Sequence, residues 1–319
     1  MNRSPVQRPR VQGRQRPLLL GGTLLLAALI GASTQGSSSA AELTAAPGSA
    51  TAPMATSGWG SLAQRPAVHP PTRPGSGTAK ATIVLVHGAF ADSTGWGETI
   101  TQLRDDGYPV IAAANPLRGL SADSTYVRSV LQTIAGPIVL VGHSYGGAVI
   151  TNAARGVPNV RALVYVGAFV PDAGESIAAA ADPAKFPGSL LGPDTTIVRP
   201  VANPVAQNGQ DVDIYISLDD FRRVFAGDVS AERAAVMART QRPLTATANF
   251  EPSGEPAWAT VPSWDLITTA DKAIPPAAQQ FMAARAGAHI SSVNSAHDVM
   301  VSHPAAVTKI VEQAARAVS

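Results

Sequence analysis

The sequence predicts an α/β protein: a mostly parallel sheet flanked by helices, with a helical cap inserted into it. Three observations predict it. From residue 81 onward, short β-branched runs alternate with stretches of helical period. Those runs are continuously apolar, as strands covered on both faces are. One stretch, 171–262, is rich in Pro, Ala and polar residues and breaks the rhythm once.

The elements follow in order. Residues 82–87 are a β-branched run ending in His-Gly and read as a buried strand. A helix is expected over 96–106, stopped by Gly107, then a strand over 110–114. A second helix is expected over 121–134 with Ser121 as its N-cap. A strand at 137–143 leads into a helix at 145–155, and a fourth strand is expected over 160–169. Within 171–262, helical patterns stand near 219–225 and 230–239; a cap there would lie over the C-terminal edge of the sheet. Strands at 263–269 and 289–293 enclose a helix at 276–286, and a helix over 304–318 closes the domain.

The chain ahead of this domain, 79–319, has a different character. Arg3, Arg8, Arg10, Arg14 and Arg16 precede the first acidic residue, Glu42. A leucine-rich run over 18–30 follows, then small polar residues. This order predicts a secretory signal over 1–40, cleaved near Ser38-Ser39-Ala40, and hence a secreted protein. An uncleaved anchor is the alternative, against which the run is short for a bilayer span of roughly 20 residues. Residues 41–78, rich in Ala, Pro, Ser, Gly and Thr, read as a disordered leader, with Trp59 and Leu62 as conceivable docking points.

Composition excludes several classes. The chain has no cysteine, so it has no disulfide, no Cys nucleophile and no thiolate metal site. Its net charge is +2. Taking the five N-terminal arginines from its 24 basic residues leaves 19 against 22 acidic ones. No basic patch for nucleic acid remains. The expected partner is a small molecule, and no metal or organic cofactor is called for.

Four signals carry chemistry. Gly142-His143-Ser144-Tyr145-Gly146-Gly147 follows an apolar strand and opens a helix, the strand–turn–helix context of a G-x-S-x-G nucleophile elbow. Close approach of strand and helix leaves little room at Gly142 and Gly146. Ser144 is then the candidate nucleophile, beside a helix N-terminus whose free N–H groups favour an oxyanion. His87-Gly88-Ala89-Phe90 ends the first strand, where the following loop supplies a second oxyanion donor. Ala89 is the first choice for that N–H, Phe90 its neighbour, and Tyr145 the partner donor. His87 and His143 read as loop-holding histidines. His297, in the loop after the last strand, is the candidate base, with His289 and His303 as competitors. Asp271, after the strand at 263–269, is the candidate acid; Asp172 and Asp265 are its rivals.

Together these residues resemble the α/β-hydrolase superfamily, and within it the capped carboxylesterase branch that includes plant methylesterases and hydroxynitrile lyases. The likeness covers about residues 81–318. It rests on Val86-His87-Gly88-Ala89, the elbow, the Asp271 turn with Ile274-Pro275, and His297. The resemblance implies a Ser144–His297–Asp271 triad, oxyanion donors at Ala89 and Tyr145, and a cap over the site. With the N-terminal signal, the expectation is a secreted serine carboxylesterase acting on small or medium esters. A slow-turnover ligand-binding protein or a lyase on the same fold are the alternatives. Two departures stand out. No antiparallel strand pair is evident before Thr82, which points to a shortened, six-stranded sheet. Asp298 occupies the position where the lyases carry Lys, which argues against cyanohydrin cleavage.

Overall fold

The structure is a computed structural model that describes residues 80–318. The expected signal, 1–40, and leader, 41–78, with Trp59 and Leu62, lie outside the described residues.

The chain begins with β1 (Thr82–Val86), a single 3-10 turn (Ser93–Trp96) and α1 (Gly97–Asp105). Then come β2 (Val110–Ala113), α2 (Leu120–Gln132), β3 (Ile138–His143), α3 (Tyr145–Ala153) and β4 (Val160–Val166). The insertion holds α4 (Ile177–Ala180), β5 (Thr196–Ala202), β6 (Gln210–Ile216), α5 (Phe221–Val224), α6 (Ala231–Thr240), β7 (Leu244–Thr245) and α7 (Ala246–Phe250). The chain closes with β8 (Ser263–Thr268), α8 (Pro276–Arg285), β9 (His289–Val293), α9 (Val299–Ser302) and α10 (Pro304–Ala317).

Among the described residues the main sheet has six strands, ordered β2-β1-β3-β4-β8-β9, and every pairing is parallel. Successive side chains on a strand face opposite sides, and here both sides are buried. Val84, Val86, Ile138, Leu140, Leu163 and Tyr165 join one core. Ile83, Leu85, Val139, Val141, Val164 and Val166 join the other. The first is covered by α2, α3 and α8, the second by α1 and α10. That double cover is why these strands read as unbroken apolar runs. From β1 the chain steps one way to β2, then back across to β3. Ligands in open sheets of this kind bind at such a reversal, off the carboxyl ends of the strands. No helix of the described residues is long and apolar enough to cross a membrane.

The structure corrects three expectations. The cap is not purely helical: β5, β6 and β7 form an antiparallel sheet, with Thr196 opposite Ile216 and Ile214 opposite Leu244. Strand β5 lies at its edge, where Pro200 is tolerated and Ile197 and Val198 stay exposed, so no alternation marks it. Ser121 is not the N-cap of α2. Gly119 holds that place, and Asp123 reaches back to accept from the Arg118 and Gly119 N–H groups. Strand β4 ends at Val166 because Gly167, at φ 49°, turns the chain away. The cap is stitched to the loop before α2. Arg118 Nη1 pairs with Asp213 at 2.7 Å, Asn203 Nδ2 donates to the Arg118 carbonyl, and Thr245 N–H donates to Leu117 O.

Asp265 sits in the middle of β8, fully buried, and neither carboxylate oxygen has a hydrogen-bond partner among the described residues. Burial pushes its carboxyl well above the ordinary range. The folded state therefore holds a proton that the unfolded chain releases at about pH 4. This contribution is complete below the unfolded pKa and is lost as pH rises through the raised folded one. Asp265→Asn removes the linkage. Urea denaturation between about pH 5 and pH 9 should show parental stability falling with pH relative to the variant.

Candidate active site

The elbow is built from missing side chains. Strand β3 ends at His143, and Ser144 turns the chain into α3 with φ 54° and ψ −125°. A positive φ at a non-glycine residue is a strained conformation worth on the order of 1–3 kcal/mol. The surroundings hold it there. A Cβ on Gly142 would stand 2.5 Å from the Gly146 carbonyl oxygen, and one on Gly146 would stand 2.4 Å from the Val86 carbonyl oxygen. Strand and helix meet through bare backbone at both points.

The other residues arrive from neighbouring strand ends. Asp271 follows β8, and His297 follows β9. Ser144 Oγ lies 2.9 Å from His297 Nε2, and His297 Nδ1 lies 2.7 Å from Asp271 Oδ2. A carboxylate only accepts, so Nδ1 carries the proton toward Asp271 and Nε2 is left to accept from the Ser144 hydroxyl. All three residues are buried beneath the cap.

Asp271 is fully provided with donors. Oδ2 also accepts from Thr268 Oγ1 at 2.8 Å and Gln279 Nε2 at 2.9 Å, and Oδ1 accepts from the Ala273 and Ile274 N–H groups. Gln279, on α8 and wholly buried, was not legible as a site residue. It also donates to the Ile274 carbonyl, and its own oxygen accepts the Thr268 N–H. Asp228 was missed as well. From the cap it accepts the Ser295 hydroxyl and the Ala296 N–H, which fixes the segment just before His297.

The remaining histidines and acids fall elsewhere. His87 donates from Nδ1 to Gly88 O, and its Nε2 accepts the Asn115 N–H. Burial lowers its pKa, so the neutral ring clamps the loop. His143 donates from Nε2 to the His297 carbonyl, and burial, then the nearby His297, hold it well below the usual imidazole value. His289 packs at a tilt on Trp264 at 4.9 Å, and His303 occupies the N-cap position of α10 without a side-chain capping bond. Asp172 belongs to a turn with Glu175, and Asp265 points into the sheet packing.

Two backbone N–H groups are free to face an oxyanion. Tyr145 is the first residue of α3, where an N–H has no intrahelical acceptor. Among the described residues, the Ala89 N–H has no acceptor either. Its loop passes so close to Ser144 that a Cβ on Gly88 would stand 2.6 Å from the serine Cβ. Phe90 is corrected as a donor. Its N–H is spent on the Arg242 carbonyl at 2.8 Å, at a residue whose φ is 60°. The cap residues Phe221, Val224 and Phe225 are buried, and the Phe225 ring packs edge-on against His297 at 4.9 Å. Met237 is only partly buried.

The profile of the alpha/beta hydrolase family matches residues 83–310. The chain belongs to the alpha/beta hydrolase family. Within 112 residues it is 40% identical to a carbendazim hydrolyzing esterase of Nocardioides sp. (strain SG-4G). That match spans 31% of this chain and 46% of the relative, so about half the relative's length is covered. Among solved alpha/beta hydrolase folds, polyneuridine aldehyde esterase superposes with a TM-score of 0.64 at 19% identity, over 73% of this chain and 98% of that one. Tomato methylketone synthase I, complexed with 2-tridecanone, gives 0.63 at 17%, over 76% and 100%. A pyrethroid hydrolase from Sphingobium faniae JZ-2 gives 0.59 at 21%, over 74% and 98%. The expected likeness to the methylesterase branch thus holds at the level of fold.

The elbow's packing yields a direct test. Gly146→Ala drives a methyl into the Val86 carbonyl, so either β1 or α3 must shift. Urea denaturation should show a loss of at least about 2 kcal/mol.

Proposed function

We propose that this protein is a secreted serine carboxylesterase that cleaves small or medium esters by acyl transfer. The observation that carries the reading is the unbroken hydrogen-bonded line Asp271–His297–Ser144, with the serine held at a strained elbow. In this reading His297 takes the Ser144 proton as the hydroxyl attacks the ester carbonyl. The Ala89 and Tyr145 N–H groups receive the developing oxyanion, each worth about 10²–10³ in rate. His297 then protonates the departing alcohol. Water, activated by the same imidazole, releases the acid and restores Ser144. Asp271 keeps the imidazole in the required tautomer and balances the imidazolium.

The 40% identity to an esterase supports ester-bond chemistry, although it extends over 112 residues only. The arginine-rich, leucine-rich and small-residue order of 1–40 supports export. Asp298, buried after His297 where the lyases carry Lys, gives no support to the lyase alternative.

The purified protein should turn over p-nitrophenyl esters with an initial burst. Ser144→Ala should lose at least about 10³-fold in kcat/KM. Equal, feeble rates in parent and variant would overturn the esterase reading and leave a ligand-binding role. Gln279→Leu removes one donor from Asp271 Oδ2, the oxygen that holds His297. Steady-state kinetics should show kcat falling about tenfold with KM little changed, the pattern of a contact that matters in the transition state.

A further inference from the structure

Asp298 directly follows His297 and is 1% exposed. Its backbone N–H donates to Phe225 O, yet its carboxylate has no hydrogen-bond partner among the described residues, and Oδ2 is wholly enclosed. Burying a carboxylate without donors is costly, and unlike Asp265, which lies inside the sheet packing, this one has open space beside it. The same residue lines a cleft of about 190 Å³ between α6 and the loop at 90–95. Phe90, Val236, Met237 and Val301 give it apolar walls. Asp92 and Arg233 also line it, the latter exposed on α6. The cleft lies just behind the proposed catalytic line, since Phe90 follows Ala89 and Asp298 follows His297. Neither Ser144 nor His297 lines it.

We propose that this cleft binds a small organic ammonium, its nitrogen on the Asp298 carboxylate and its hydrocarbon against Phe90, Val236, Met237 and Val301. The floor decides the sign of the ligand: an anion there would face a buried carboxylate. A divalent cation would need several charged oxygen ligands together, and no cluster of three or more His, Cys, Asp or Glu side chains suited to a metal stands among the described residues. Thr94, Thr240 and Gln241 also line the cleft and offer neutral polar groups to the rest of an organic ammonium. An ammonium supplies the missing donors with charge, and the Phe90 ring adds a face that attracts cations. With Asp92 and Arg233 of opposite sign among the lining residues, recognition rests on contact with Asp298 and not on a long-range field.

Protonation gives the site a second signature. Burial holds the Asp298 carboxyl up at about 7; nearby His297 and Arg233 pull it down, and Asp228 pushes it up. An ammonium binds the ionised form, whose fraction rises about tenfold from pH 6 to pH 8.

The test is isothermal titration of the full-length protein with benzylammonium chloride, and with benzyl alcohol as the neutral isostere. Saturable ammonium binding at pH 8 is expected, about tenfold weaker at pH 6. It should be at least about tenfold weaker in Asp298→Asn. It should also vanish in Val236→Trp, which fills the cleft from an exposed helix position and leaves the carboxylate in place. Absence of saturable binding, equal affinity in parent and Asp298→Asn, or alcohol binding as tight as ammonium would overturn the proposal. The measurement needs no turnover, so its failure is distinct from failure of the esterase reading. If the parent also hydrolyses p-nitrophenyl esters, competitive inhibition by benzylammonium would assign the cleft to an arm of the substrate. Mixed inhibition would assign it to a separate effector. Either pattern supports the site.

Discussion

Bare backbone contact between β1 and the first turn of α3 sets the position of nearly everything around Ser144. With Gly146 against the Val86 carbonyl, no side chain separates the strand from the helix. The loop leaving β1 is therefore carried close past the serine, near enough that a Cβ on Gly88 would collide with the Ser144 Cβ. The same contact forces the chain through a positive φ at Ser144. The strain is local, and the closely packed strands β1, β3 and β4 hold it in place. Two buried cores on opposite faces keep those strands fixed.

Three carboxylates near the sheet's C-terminal half show what partners do to a buried acid. Asp271 receives five donors and is held as an acceptor in one orientation. Asp265 receives none, and burial raises its pKa until the neutral form prevails. Asp298 stands between them: enclosed and unpartnered, but beside His297 and Arg233, which oppose the effect of burial. Sequence position alone does not separate these fates. The number of N–H and O–H groups within reach does.

Legibility followed the range of the interactions involved. Buried parallel strands announced themselves through unbroken β-branched runs, because double cover leaves no polar face to interrupt them. The elbow was legible because its glycines, serine and flanking elements are contiguous. The cap sheet was not: β7 reaches β6 only after two intervening helices, and edge strand β5 carries a proline and exposed apolar residues. Gln279 resembled any polar residue on a helix, and its burial depends on how α8 lies against β8. The loss of Phe90 as a donor was invisible for a similar reason. The acceptor of its N–H, Arg242, lies about 150 residues later in the chain.

The insertion between β4 and β8 also divides the molecule in time. Everything up to Val166 contains the serine and both free N–H groups, while the aspartate and the histidine belong to the last part of the chain. Strand β8 joins through pairs such as Leu163 with Ser263, and β9 follows onto β8. A chain emerging N-terminus first can assemble the early strands long before those pairs exist. Until then Ser144 has no imidazole within reach, so a nascent or truncated chain carries the strained turn without the hydrogen-bonded line that ends on it. That line is completed only by the loop after the final strand, which brings His297 to the serine.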